Sequence, residues 1–294
     1  MTVNNIKLET RQKIYPIWNA FAKRFPVSAT KVKFRLVTGR KLNLRNPKTL
    51  NEKMQKLKLF EYNNNPLVTQ CCDKYAVREY VKKSGCGEIL NELYGKWDDP
   101  ALIEWDKLPQ EFVLKCNHGS GCNIFCKDKQ QLDKEKAIQD LSNWMKADYG
   151  VTNIELVYNQ IPRCVIAEKY IETKDGKPPK DYKFFCSYGE PKFLFVACDR
   201  YEGNTKFDFY TPDWKWIPVK NIHPNAGSIE KPVFIDEMMM YARKLSKPFP
   251  IVRVDFYYEN NQILFGELTF LHYGGMSPFD PPSYDEEFGQ LFPL

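Results

Sequence analysis

Two apolar segments, Ile251-Val252-Arg253-Val254-Asp255-Phe256 and Phe265-Gly266-Glu267-Leu268-Thr269-Phe270, carry polar side chains at every second position. Strands alternate faces with period two, so Arg253 and Asp255 share one face of the first, and Glu267 and Thr269 share one face of the second. Between them Glu259-Asn260-Asn261-Gln262 reads as a hairpin connection. A two-residue loop at Asn260-Asn261 would set Asp255 opposite Gly266. A three- or five-residue loop centred on Asn261 sets it opposite Glu267, with Arg253 opposite Thr269, and the odd-length loop is the expectation. Facing carboxylates repel unless compensated. Mg²⁺, which takes few carboxylates together with phosphate oxygens, is the natural compensation. From these residues alone a metal site and a solvated strand face both remain open.

The elements around this hairpin must bring other chemistry to it. Thr49-Leu50-Asn51-Glu52 has the form of a capping box ahead of Met54 and Leu57, so a helix begins there. Asp73 is expected to cap a second helix through Val81, stopped by Gly85 and Gly87. Phe112–Cys116 reads as a strand running into Asn117-His118-Gly119-Ser120-Gly121, with Ile124–Cys126 returning as the hairpin partner. This loop is neither a Walker P-loop nor a dinucleotide fingerprint. With Lys115 before it, it suggests a lid whose N–H groups meet phosphates; a plain tight turn is the alternative. Asp133 caps a helix through Met145 that Gly150 ends, and Arg163–Ile171 is strand-like and apolar up to Glu168. Tyr182–Ser187 and Lys192–Cys198 flank the turn Tyr188-Gly189-Glu190-Pro191. Trp214-Lys215-Trp216 marks a short edge strand, and Phe234–Ser246 a helix with Met238, Tyr241, Ala242 and Leu245 inward.

Composition narrows the class. The 294 residues are 15% aromatic and 27% charged, a globular profile large enough for a full core. A net charge of +6 suits a phosphate-bearing or acidic ligand but is too dispersed to demand nucleic acid. No apolar run approaches the roughly 20 residues of a membrane-spanning helix. Met1–Lys7 has no apolar core of a signal peptide. Nine cysteines without repeated spacing imply a reduced, cytoplasmic chain. Cys116, His118, Cys122 and Cys126 cluster in sequence without the paired knuckles of a zinc site. Tyr201, Trp214 and Trp216 could stack on sugars or simply pack under a loop.

The order of Lys74, Lys115, Glu168, Asp181, Lys183, Arg253, Asp255 and Glu267 resembles the ATP-grasp superfamily. Leu50-Asn51-Glu52-Lys53-Met54, Asp73-Lys74-Tyr75-Ala76-Val77-Arg78, Leu114–Gly121, Asp181-Tyr182-Lys183-Phe184-Phe185 and Gly266–Phe270 look like its TupA-like branch, associated with teichuronopeptide and other bacterial surface-polysaccharide synthesis. The resemblance implies an α+β ATP-grasp fold in which two lobes with antiparallel sheets enclose ATP. The first 70 residues read as helical and basic, and lobes at about 71–165 and 166–294 are expected after them. The resemblance also implies that Lys74 and Lys115 contact the α- and β-phosphates, and that His118, Gly119, Ser120 and Gly121 close over the γ-phosphate. Lys169, Tyr170 and Ile171, after Glu168, would bind adenine through the backbone, and Glu172 the ribose. Lys183 would reach the phosphates, Arg253 the transferred phosphoryl group, and Asp255 and Glu267 would hold Mg²⁺. Thr269 stands where the superfamily commonly has asparagine.

The implied activity is an ATP- and Mg²⁺-dependent carboxylate–amine ligase working through an acyl phosphate. Its partners would be a carboxylate-bearing glycan or sugar precursor and an amine donor, with peripheral association to a polysaccharide-synthesis complex at the inner face of the membrane. A kinase on the same fold and a glycosyltransferase are the alternatives, although Asp98-Asp99 does not supply the Asp-x-Asp motif of the latter.

Overall fold

At residue 49 the Thr49 hydroxyl accepts a hydrogen bond from the Glu52 N–H (3.2 Å), and the Glu52 carboxylate accepts one from the Thr49 N–H (3.3 Å). This reciprocal cap starts the helix Leu50–Phe60 where the sequence puts it. The computed structural model describes residues 16–173, 176–200 and 203–294; Tyr201 and residues 1–15 of the expected helical region lie outside these. Residues 16–24 are helical (α1), followed by α2 (Pro26–Thr38), α3 (Leu50–Phe60), α4 (Pro66–Cys72) and α5 (Val77–Lys83). Asp73 does not open the second helix. It ends α4, and its carboxylate accepts from the N–H groups of Tyr75 and Ala76, holding a turn from which α5 starts four residues later.

A four-stranded antiparallel sheet has the order β1-β4-β2-β3, with β1 Leu93–Trp97, β2 Phe112–Cys116, β3 Asn123–Cys126 and β4 Val165–Lys169. Strand β4 pairs within this sheet, which therefore extends to Lys169. Helix α6 (Lys134–Lys146) packs behind it and is capped by Asp133 as expected. It ends at Ala147, where the backbone becomes extended, while Gly150 lies within the next short helix, α7 (Tyr149–Asn153).

The larger sheet is also antiparallel, with strands β5 (Asp181–Ser187), β6 (Glu190–Cys198), β7 (Lys206–Tyr210), β8 (Trp216–Ile217), β10 (Val252–Glu259) and β11 (Gln262–Thr269) in the order β11-β10-β5-β6-β7-β8. Its second hairpin turns through Tyr188 and Gly189 alone; Pro191 already lies in the strand, at a bulge. Trp216 is on an edge strand, but Trp214 sits in the preceding turn, stacked on Tyr210 at 4.3 Å. A minor pair, β9 (Lys220–Asn221) with β12 (Phe279–Asp280), and helix α9 (Tyr284–Gln290) complete the chain.

Alternation sorts the large sheet. Tyr182, Phe184, Val252, Val254, Phe256, Leu268 and Phe270 are buried, and α8 (Ile235–Ser246) covers that face with Met238, Tyr241, Ala242 and Leu245. Leu50, Met54 and Leu57 of α3 join the same core, so the helical region from residue 50 onward is built into this lobe and is not a separate unit.

The opposite face presents a cross-strand row, Glu267–Asp255–Lys183–Phe195. Its register is the expected one, but the cause differs. Glu259 pairs with Gln262, so the loop is the two-residue Asn260-Asn261, both at positive φ. A bulge then restores the pairing: Phe256 faces Phe265, Asp255 faces Glu267, and Gly266 is the extra residue. A Cβ there would lie 3.0 Å from the Asp255 carbonyl oxygen, which accounts for glycine.

Candidate active site

The acids, lysines and lid meet around two adjoining cavities between the sheets. The smaller, about 230 Å³, is lined by Lys74, Lys115, Ser120, Gly121 and Glu168 from the first sheet's side, and by Lys183, Asp255 and Glu267 from the large sheet. The larger, about 660 Å³, shares Ser120, Lys183, Arg200 and Glu267 with it and adds Gly119, Arg253 and Thr269.

The lid is anchored at its base and open at its tip. Asn117 is buried; its side chain bonds the Pro162 carbonyl and the Cys164 N–H, and its carbonyl accepts from the Lys74 N–H at 2.9 Å. Gly119 and Gly121 take φ of 73° and 80°, which permits the tight reversal. Ser120 and Gly121 are exposed, and Lys74 Nζ donates to the Gly119 carbonyl at 2.6 Å.

At the first sheet, Lys115 Nζ lies 2.7 Å from Glu168 Oε2, and Arg78 Nη1 lies 3.2 Å from Glu168 Oε1. At the large sheet, Asp255 is 1% exposed and bound by Arg253 through two hydrogen bonds of 2.7 Å, with Lys183 on the same carboxylate. Burial alone would raise its pKa, but the Arg253 and Lys183 cations outweigh it and hold the carboxyl below its usual value. Lys183 also reaches Asp181 at 2.6 Å, where Arg200 is a second cation at 2.9 Å. Burial pushes Asp181 up.

The Thr269 hydroxyl accepts from Arg253 Nη2 and donates to Glu267 Oε1, both at 3.0 Å. It therefore links the arginine to the glutamate. The Glu267 side chain is 46% exposed and opens to both cavities. Two carboxylates and a hydroxyl form a hard-oxygen donor set that fits Mg²⁺. Glu267 is the accessible donor, while Asp255 is engaged by its two cations. Among the described residues no three His, Cys, Asp or Glu converge as a protein-only metal cluster, so phosphate or water oxygens would complete the coordination.

Several sequence-predicted residues stand apart. His118 is 2% exposed, lines neither cavity and has no partner for Nδ1 among the described residues; burial, with Arg163 and Lys74 nearby, pushes its pKa down to about 4. It is a neutral group packed in the lobe. Lys169 ends β4 and Tyr170, Ile171 and Glu172 follow it, all four outside both linings. The Lys169 N–H donates to the Glu92 carbonyl, and its carbonyl accepts from Asn91 Nδ2.

Other residues came into view only here. Arg78 was visible in a motif without a role. Asp181 appeared only in the order of motifs, and Arg200 carried no signal. His272 accepts from Arg253 on Nδ1 (2.6 Å) and donates from Nε2 to Asn221 Oδ1 (2.8 Å), and burial beside Arg253 keeps it neutral. Glu155 is 6% exposed and lines the larger cavity, its carboxylate without a hydrogen-bond partner among the described residues. Burial, opposed by Lys58 and Lys33, raises its pKa to about 7.

A family model described as TupA-like ATPgrasp matches residues 52–293. No curated protein matches the chain. Among solved structures it is similar to a D-alanine–D-alanine ligase from Bacillus anthracis complexed with ATP, with 16% identity, a TM-score of 0.40, and coverage of 69% of this chain and 57% of that one. An L-amino acid ligase from Bacillus licheniformis (13%, TM-score 0.45, 80% and 50%) and an N5-carboxyaminoimidazole ribonucleotide synthetase from Thermus thermophilus (12%, 0.44, 76% and 54%) are also similar. The chain spans little more than half the length of these proteins.

Proposed function

We propose, because the chain belongs to the TupA-like ATP-grasp family, that it is an ATP-dependent carboxylate–amine ligase acting through an acyl phosphate. The observation that carries this reading is the convergence of three lysines, a glycine-bearing lid and two facing carboxylates on one small cavity that opens into a larger one. Lys74, Lys115 and Lys183 are suited to the phosphates of ATP, with the lid tip at Ser120 and Gly121 above them. Tyr170 and Ile171 would offer their backbone to adenine and Glu172 its carboxylate to the ribose.

Phosphoryl transfer needs positioning and charge neutralisation more than covalent help. Arg253, held by Asp255 and at the boundary of the larger cavity, would face the transferred group and the acyl phosphate. Asp255, Glu267 and Thr269 would hold Mg²⁺, which when bound supplies positive charge to the phosphate oxygens. The acceptor amine would then attack the acyl carbon, releasing phosphate, with Glu155 as the cavity group suited to take its proton near neutrality.

The finer setting, a surface-glycan precursor as carboxylate donor and polysaccharide synthesis as pathway, rests on family kinship alone. The test is release of inorganic phosphate from ATP and Mg²⁺ across panels of carboxylates and amines. Release that requires both partners supports the ligase. A phosphorylated product from one partner alone identifies a kinase, and UDP release from UDP-sugars a glycosyltransferase.

A further inference from the structure

Residues 16–51 hold nine Lys and Arg and no Asp or Glu, whereas residues 52–294 carry 31 basic against 36 acidic residues. The charge is thus not dispersed, as its modest total suggests, but polarised, with the positive excess gathered on α1, α2 and the segment after them. The same helices expose large apolar side chains. Ile17 (74% exposed), Phe21 and Phe25 recur at four-residue spacing along one side of α1 and its end, and Val32 and Leu36 (79% exposed) recur likewise on α2. Lys23, Arg24, Lys31 and Arg35 are exposed beside them, and none is paired with a carboxylate among the described residues. Arg24 lies over the Phe25 ring at 5.4 Å.

The inner side of α2 is committed elsewhere. Ala29, Thr30 and Phe34 are buried, and Lys33 and Val37 line the larger cavity. Among the described residues, the outer side, apolar and basic together, is without a partner.

We infer that this face docks on an anionic lipid bilayer. Cations flanking a protruding apolar stripe match a surface that is negative at the headgroups and apolar just beneath them. Nucleic acid would satisfy the cations but give Ile17 and Leu36 nowhere to go. Each unpaired basic residue near an anionic surface is worth roughly fivefold in binding. The docked helix would form the partition between the bilayer and the larger cavity, about one helix diameter (~10 Å) away. A substrate tethered to lipid would then be within reach of Arg253 and Glu155. The docking itself does not depend on which reaction the cavities perform.

The test is co-sedimentation of the full chain with vesicles of phosphatidylglycerol in phosphatidylcholine, against pure phosphatidylcholine, at low and high salt. The expected result is at least tenfold stronger binding to the anionic vesicles, weakened by salt. Ile17→Ser/Leu36→Ser and Lys31→Glu/Arg35→Glu should each lower it at least tenfold while ATP affinity is unchanged. No binding to the anionic vesicles, equal binding to both compositions, or undiminished binding by these variants would overturn the inference. Self-association in light scattering, abolished by the same substitutions without vesicle binding, would assign the face to a second copy and overturn it too.

Discussion

Arg253→Met is the substitution that asks most of the structure. Asp255 is 1% exposed and Arg253 7%, and two hydrogen bonds of 2.7 Å join them. Removing one partner of a buried pair costs about 3–5 kcal/mol because the other charge is left in a poor medium. In this protein Lys183 remains on Asp255, which sets the expectation at the lower end, while Thr269 and His272 each lose a hydrogen-bond partner. For a chain of 294 residues, that range corresponds to a fall in Tm of roughly 5–8 °C. Asp255→Asn alone takes the shared carboxylate from Arg253 and Lys183, which keep only Glu267 and Asp181 respectively, and should also destabilise. The double variant should cost less than the sum of the two, since the second change removes a charge that the first left unpaired. Urea unfolding followed by tryptophan fluorescence gives all three free energies. Additivity within about 0.5 kcal/mol would refute the idea that the two side chains act as one unit. It would also remove the reason for regarding Asp255 as engaged before nucleotide arrives.

Gly266→Val should destabilise by about 1–3 kcal/mol and weaken ATP binding, because its Cβ would press on the Asp255 carbonyl at 3.0 Å and disturb the bulge that aligns the carboxylates; unchanged melting and ATP affinity would remove the bulge from the account. His118 has a folded-state pKa of about 4, below its usual value near 6.5. Its contribution is therefore fully present above pH 6.5 and lost as pH falls toward 4, by up to about 3 kcal/mol. His118→Asn should shrink that acid loss in urea titrations at pH 7 and 4.5, and an unaltered loss would place the titration elsewhere. Glu155→Gln should lower amide formation by roughly 10²–10⁴-fold and abolish the rise in rate through pH 7, with ATP affinity unchanged; a variant that keeps the wild-type pH profile would exclude Glu155 as the base.

The facing of Asp255 and Glu267 shows how far pattern reading reaches. Period-two alternation correctly put both acids on one side and their apolar neighbours in the core. The reading reached the right register through an odd-length loop that does not exist. Positive φ at both Asn260 and Asn261 closes a two-residue turn, and Gly266 supplies the missing residue as a bulge. A bulge has no period of its own, and a glycine in a strand signals one only once its neighbour's backbone is known to be close. Asp73 is a related case. Its side chain does bond the N–H groups ahead of it, but Asp caps a turn as readily as a helix, and the helix begins at Val77.

That Lys74, Lys115, Lys183, Arg253 and the lid tip would line adjoining cavities could be expected because motifs keep their order along the chain. Their partners could not. Arg78 meets Glu168 across 90 residues of sequence, and His272 meets Asn221 across 51. Glu155 looked like one acid among many until the cavity wall enclosed it. His118 and Lys169, to which the resemblance gives contacts with ATP, lie outside both cavities, the first buried and the second with its backbone bonded to Asn91 and Glu92.

The caps at Thr49 and Asp133, strand alternation and the clustering of basic residues before residue 52 depend on neighbours a few positions apart, so they could be read along the chain. The family's ordered motifs belong to the same level. Which acid is paired with cations, which has its pKa raised toward neutrality, and which carboxylate stays open to the cavities depend on desolvation and on charges brought from distant strands. Those are properties of the assembled interior, where a few ångströms of burial or separation outweigh residue type, and only the packed sheets decided them.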